Sequence, residues 1–144
     1  MLGGLWSGVP RRVRVIAALM VAVLAYGTIV HIVQLVAGWP RPYPWAPAWL
    51  EAYFISLTLA DALAAILTAA RRLRGLQLAV LVLVTDAIAN GYAVYGLGPP
   101  SAVAQVGQAV VSLLAIASLI AYPLIRPYLR PAQPPRASAG GVSG

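Results

Sequence analysis

Two aspartates stand in the middle of long apolar runs of this sequence, where an ionisable side chain is costly unless it has a specific role. Asp61 and Asp86 lie on either side of a basic turn that contains three arginines. Counting residues from the ends of the two runs predicts a similar depth for both carboxyls. If the runs form neighbouring antiparallel helices that face each other there, repulsion and desolvation favour one proton held or shared at neutral pH. The pair is therefore a candidate acidic binding site or proton donor.

Other polar residues recur at helical spacing on all four apolar runs and favour the half farther from the basic turn. They predict a polar pocket that opens toward the helix ends opposite the basic turn, with Asp61 and Asp86 at its floor. The candidate ligand-binding residues are Asp61, Asp86, Asn90, His31, Thr58, Glu51, Gln34, Gln105 and Gln108. A structural role stays open for several of them: interhelical hydrogen bonding for His31 and the amides, and solvation near the interface for Glu51.

The sequence predicts neither a metal nor a cofactor. It has no cysteine and one histidine, which excludes thiolate ligands and disulfides. It also has no phosphate-binding loop, no zinc-protease motif and no nucleophile-elbow motif. Asp61, Asp86, Glu51 and His31 could together hold a hard cation, but their spacing is not that of a recognised site. No residue is assigned a catalytic role.

The composition is that of a membrane protein. Hydrophobic residues make up 61% of the 144 residues and charged residues 9%, against roughly 25% charged in soluble domains. Runs of about 20 apolar residues are long enough to cross a bilayer as helices. The predicted spans are 13–37, 48–70, 76–97 and 102–122, after a cytoplasmic segment 1–12 and before a disordered cytoplasmic tail 131–144. The first run is too long for a signal peptide, so it is predicted to be a retained span.

The arginines predict the orientation of these spans. Arg41 alone follows the first span, whereas the other nine lie on the opposite side. Those nine are Arg11, Arg12, Arg14, Arg71, Arg72, Arg74, Arg126, Arg130 and Arg136. By the positive-inside rule both termini lie on the cytoplasmic side of the cell membrane, so the predicted pocket opens outward. Lipid headgroups explain this charge better than nucleic acid, so no nucleic-acid partner is predicted.

Four spans with short connections predict an all-α protein: an antiparallel four-helix transmembrane bundle. Small residues on the second and third spans would allow the helices to approach closely. They are Ala60, Ala64, Ala65, Ala69, Ala89 and Ala93.

The segment Pro47-Ala48-Trp49-Leu50-Glu51-Ala52-Tyr53-Phe54, which leads into a span with an internal acid, resembles the start of the second helix of the emopamil-binding (EXPERA) family. The resemblance implies a multi-helix membrane protein that binds sterols or cationic amphiphiles. Asp61 lies about one helical turn deeper than the family's pattern implies, and the other three spans contain no matching motif. The resemblance therefore transfers no catalytic residue to this chain.

Three functions remain open from the sequence. The first is a binding protein or small lipid-modifying enzyme whose pocket takes a hydrophobic or cationic small molecule. The second is a small proton-coupled transporter, although small multidrug exporters have their essential glutamate in the first helix and this first span has no acid. The third is an accessory subunit of a membrane complex. Besides the bilayer, a partner subunit or a second copy of the chain remains open as a partner.

Overall fold

The computed structural model describes residues 6–130 and is all-helical over that part, without a β-strand there. Its helices are α1 (Arg11–Gly38), α2 (Ala48–Ala69), α3 (Leu73–Gly96) and α4 (Ala102–Ile125), and a short 3₁₀ turn, Arg126–Tyr128, follows α4. All four helices are long and apolar enough to cross a membrane. The predicted all-α fold with four apolar helices is confirmed for the described residues. The predicted tail, 131–144, lies outside them.

The helices pack in chain order. α1 packs against α2, α2 against α3 and α3 against α4, while α1 and α4 make few contacts. This is the arrangement of an up-and-down bundle, in which short connections place successive helices side by side. The α1–α4 seam is its loosely packed side.

One end of the bundle gathers the segment before α1, the α2–α3 turn and the segment after α4. The indole Nε1 of Trp6 donates to the Ala69 carbonyl at 3.0 Å. The Arg71 Nε donates to the Tyr128 carbonyl at 3.1 Å, and the Arg130 amide donates to the Arg71 carbonyl at 2.9 Å. We call this the basic end, and the opposite end, formed by residues 39–47 and 97–101, the aromatic end.

Small residues bring α2 and α3 into close contact near the basic end. Gly75 is buried in the first turn of α3 and faces the backbone of Leu67 and Thr68, which leaves no room for a Cβ atom. Ala64 and Ala79 are fully buried nearby. Close approach of this kind increases van der Waals contact between membrane helices.

The helix boundaries differ from the sequence prediction by up to three residues. The largest differences are at the start of α3, which begins at Leu73, and at the end of α4, which continues through Pro123 to Ile125. A proline removes one N–H donor and its ring crowds the carbonyl four residues earlier, but neighbouring groups can satisfy the freed carbonyl in an apolar helix. Pro123 therefore does not end the helix.

Candidate functional site

A cavity of about 230 Å³ lies between the four helices. Its polar lining consists of His31 and Gln34 from α1, Asp61 from α2, and Asp86 and Asn90 from α3. Valine and leucine side chains, including three from α4, form most of the rest of the wall. We call it the acidic cavity, because it contains two of the three acidic residues of the sequence.

Asp61 is held against α1. Its side chain is buried, with the residue 5% exposed, and its Oδ2 lies 3.8 Å from His31 Nε2. Gly27 makes room for this carboxyl, since a Cβ atom on Gly27 would lie 2.5 Å from Oδ2. The α1 backbone therefore forms one wall of the Asp61 site, and His31 is the nearest group that could share its proton or its charge.

Asp86 has its partner on its own helix. The Asn90 Nδ2 donates to Asp86 Oδ1 at 2.7 Å and to the Asp86 carbonyl at 3.0 Å. One helical turn separates the two residues, which is the spacing at which side chains on one face meet. The contact orients the Asp86 carboxyl and leaves the Asn90 side-chain oxygen as an acceptor.

The two carboxyls line the same cavity but lie at different levels. Gly75 of α3 lies at the same height along the bundle as Leu67 of α2. From that height toward the aromatic end, Asp61 is six residues away along α2 and Asp86 is eleven residues away along α3. At 1.5 Å per residue this difference is about 7 Å along the bundle. The sequence predicted a similar depth for the pair, whereas in the structure Asp61 lies nearer the basic end.

Tyr43, from the loop at the aromatic end, contacts two residues that line the acidic cavity, His31 and Gln34. The loop after α1 turns back into the bundle, so that Tyr43 is buried and its ring lies 5.1 Å from the Phe54 ring. Its hydroxyl donates to Gln34 Oε1 at 2.7 Å and lies 3.3 Å from His31 Nδ1. Burial and, secondarily, the charge of Asp86 raise the pKa of Tyr43, so the hydroxyl remains a donor.

The sequence pattern did not predict a role for Tyr43. A role as interfacial anchors suits the exposed Trp39 and Trp45 of the same loop, but not the buried Tyr43. No local signal distinguishes them, because the loop's path depends on contacts with α1 and α2.

A second cavity, of about 570 Å³, lies between α3 and α4 at the aromatic end. Trp45, Ser101 and Gln108 line it, and Asn90 lines both this cavity and the acidic cavity. We call it the vestibule. The Gln108 Nε2 donates to the Ala87 carbonyl at 2.9 Å, whereas its Oε1 is buried without a hydrogen-bond partner in the described part of the chain.

Three of the sequence-predicted site residues lie elsewhere. Glu51 pairs with Arg41 at the aromatic end, with 3.6 Å between the charged atoms. Gln105 is exposed and reaches the Pro100 carbonyl at 3.5 Å. Thr58 lines neither cavity, although its hydroxyl is buried and has no hydrogen-bond partner among the described residues. The structure thus brings together Asp61, Asp86, Asn90, His31 and Gln34, with Gln108 in the adjoining vestibule.

Acidic groups predominate among the charged residues of the site. No arginine lines either cavity, so nothing basic other than His31 faces the two carboxyls there. Within residues 6–130 no group of three or more histidine, aspartate or glutamate residues is placed to hold a metal ion. The arrangement is suited to hydrogen-bond donors and positive charge in apolar surroundings.

No family model, no curated protein and no solved structure matches the chain. The resemblance to the emopamil-binding family therefore stays a prediction.

Proposed function

We propose that this protein is an integral membrane protein that binds a small organic cation with a hydrophobic part in its acidic cavity. The observation that carries the proposal is the placement of Asp61 and Asp86 in one largely apolar cavity that no arginine lines. A carboxylate in such surroundings lacks water, and a positively charged ligand would compensate for that loss. Apolar walls around a few convergent polar groups are typical of small-molecule sites.

The polar groups near the entrance and the size of the cavity limit the charge and the size of the ligand. Asn90 lines both the vestibule and the acidic cavity, so a ligand that entered through the vestibule would pass the side-chain oxygens of Gln108 and Asn90, which are acceptors. A route of acceptors favours an ammonium group over an anion. Because about 230 Å³ is smaller than the usual drug-sized pocket of roughly 300 to 1,000 Å³, the group held beside the carboxyls would be compact.

Ligand binding without transport accounts for the tight helix packing between the acidic cavity and the basic end. From the acidic cavity toward the basic end, Ala64, Leu76 and Ala79 are fully buried between α2 and α3. A transporter that released its substrate between α2 and α3 would have to separate this packing. Amine flux coupled to a proton gradient in proteoliposomes would indicate proton-coupled exchange instead, and the absence of both binding and flux would favour the accessory-subunit function.

A hydrophobic amine should stabilise the protein, whereas the alcohol of the same chain length should not. At a ligand concentration about 100 times Kd, binding contributes about 3 kcal/mol, which corresponds to a rise in Tm of roughly 10 °C. The measurement is thermal unfolding in lipid nanodiscs with dodecylamine or dodecanol. The alcohol is the matched control because only the ammonium charge is missing. An equal shift with both compounds would contradict recognition of a cation.

The proposed orientation places the aromatic end outside the cell and the basic end in the cytoplasm. Because the chain has no cysteine, single cysteines report accessibility without background labelling. In intact cells, a membrane-impermeant maleimide should label Pro99→Cys at the aromatic end, and label Ser7→Cys at the basic end only after permeabilisation. The reverse pattern would contradict the orientation. Labelling of both variants in intact cells would contradict the membrane-spanning arrangement.

A further inference from the structure

A second site candidate lies on the surface of the bundle at the basic end. A groove of about 420 Å³ runs along α1, and we call it the alanine groove. Its lining is Trp6, Arg14, Ala17, Ala18, Val21, Ala22 and Ala69. The small alanine side chains leave the groove open, and its surface is almost entirely apolar.

Trp6 forms a fixed edge of the alanine groove. Its indole Nε1 donates to the Ala69 carbonyl, which ties the segment before α1 to the end of α2. The Arg71 guanidinium lies 5.6 Å from the centre of the indole ring, within the range of a cation–π contact. Tryptophan prefers the level of the lipid headgroups, with its ring toward the apolar side.

Arg14 supplies the charge of the alanine groove. It is exposed, and neither ion pair of the described chain involves it. The sequence has only three acidic residues: two line the acidic cavity, and Glu51 lies at the aromatic end. The positive charge beside the groove is therefore not neutralised by a carboxylate of the described chain.

We propose that the alanine groove binds an anionic phospholipid, with part of one acyl chain in the groove and the phosphate at Arg14. The groove's apolar wall matches the acyl chain, and Arg14, the arginine that lines the groove, matches the headgroup charge. The proposal rests on the membrane setting proposed above, but not on ligand binding in the acidic cavity.

The test is native mass spectrometry of the full chain released from detergent with a defined mixture of phosphatidylglycerol and phosphatidylcholine. Wild type should retain phosphatidylglycerol preferentially. Arg14→Gln should lose about fivefold of that preference, since one arginine near the headgroups contributes about 1 kcal/mol. Arg11→Gln is the matched control, because it removes the same charge from an exposed site outside the groove, and its effect should stay below about twofold.

A second variant tests the acyl-chain part of the site. Ala18→Leu fills the groove and should reduce lipid retention, whereas Ala25→Leu, on the exposed surface of α1 outside the groove, should not. Equal losses in Arg14→Gln and Arg11→Gln would overturn the proposal, because lipid would then follow net charge alone. Retention without preference in wild type would overturn it too. Amine binding in the acidic cavity would be unaffected by either result.

Discussion

Replacing Asp61 and Asp86 together with asparagine should abolish stabilisation by a hydrophobic amine and leave the ligand-free protein at least as stable as wild type. Asparagine has nearly the shape of aspartate without its charge, so the cavity keeps its lining while the ionic partner of the ammonium group is lost. Loss of one partner of a buried charge pair costs 2 to 5 kcal/mol, or an affinity loss of at least about 30-fold. Thermal unfolding with and without dodecylamine measures both effects.

Glu51→Gln is the matched control for this experiment. It makes the same chemical change in the remaining acidic residue, which pairs with Arg41 outside the acidic cavity. The control should bind the amine as wild type does. If the double variant kept its ligand shift, the acidic cavity would not be the binding site. If it lost stability without ligand, the two carboxyls would have a structural role, as expected for an accessory subunit.

Gly75→Ala should lower the stability of the bundle more than other single-methyl additions. The added Cβ would overlap with the backbone of Leu67 and Thr68, which cannot rotate away as a side chain can. The helices would have to separate, at a cost of about 3 kcal/mol. That cost corresponds to a fall in Tm of roughly 10 °C. Thermal unfolding of the purified protein in detergent measures it.

Gly107→Ala provides the comparison, because Gly107 also lies within a helix but a Cβ atom there would meet no other atom within 4 Å. It should be neutral or slightly stabilising, since alanine has the higher helix propensity. Wild-type stability of Gly75→Ala would mean that α2 and α3 are farther apart than the structure places them. The level of Asp61 relative to Asp86 would then need revision, because it depends on this contact.

The acidic cavity and the alanine groove lie at different heights along the bundle, and they suit ligands of opposite charge. The first gathers carboxyl groups near the middle of the helices, and the second presents an arginine at the basic end. A ligand for one site should therefore not compete with a ligand for the other. The two sets of variants can be measured independently in the same protein.

Local sequence is enough to predict the four helices and the polar residues that are energetically costly within them. Long apolar runs predict four helices because helix formation in such runs depends on local composition and length. Helical periodicity likewise placed His31 with Gln34, and Asp86 with Asn90, on common faces, and both pairs line the acidic cavity. These features follow from the spacing of residues along one helix.

How those helix faces meet depends on contacts between helices that are far apart in the sequence. The axial offset that places Asp61 about 7 Å below Asp86 depends on the contact of Gly75 with α2, which no periodicity within a single helix encodes. The inward turn of the loop that buries Tyr43 likewise depends on partners from α1 and α2. Gln105 shares a helical face with Gln108 in the sequence, yet lies outside both cavities, because the rotation of α4 is set by its packing against α3. Rotation and offset between helices are properties of their interfaces, and interfaces exist only in the folded chain.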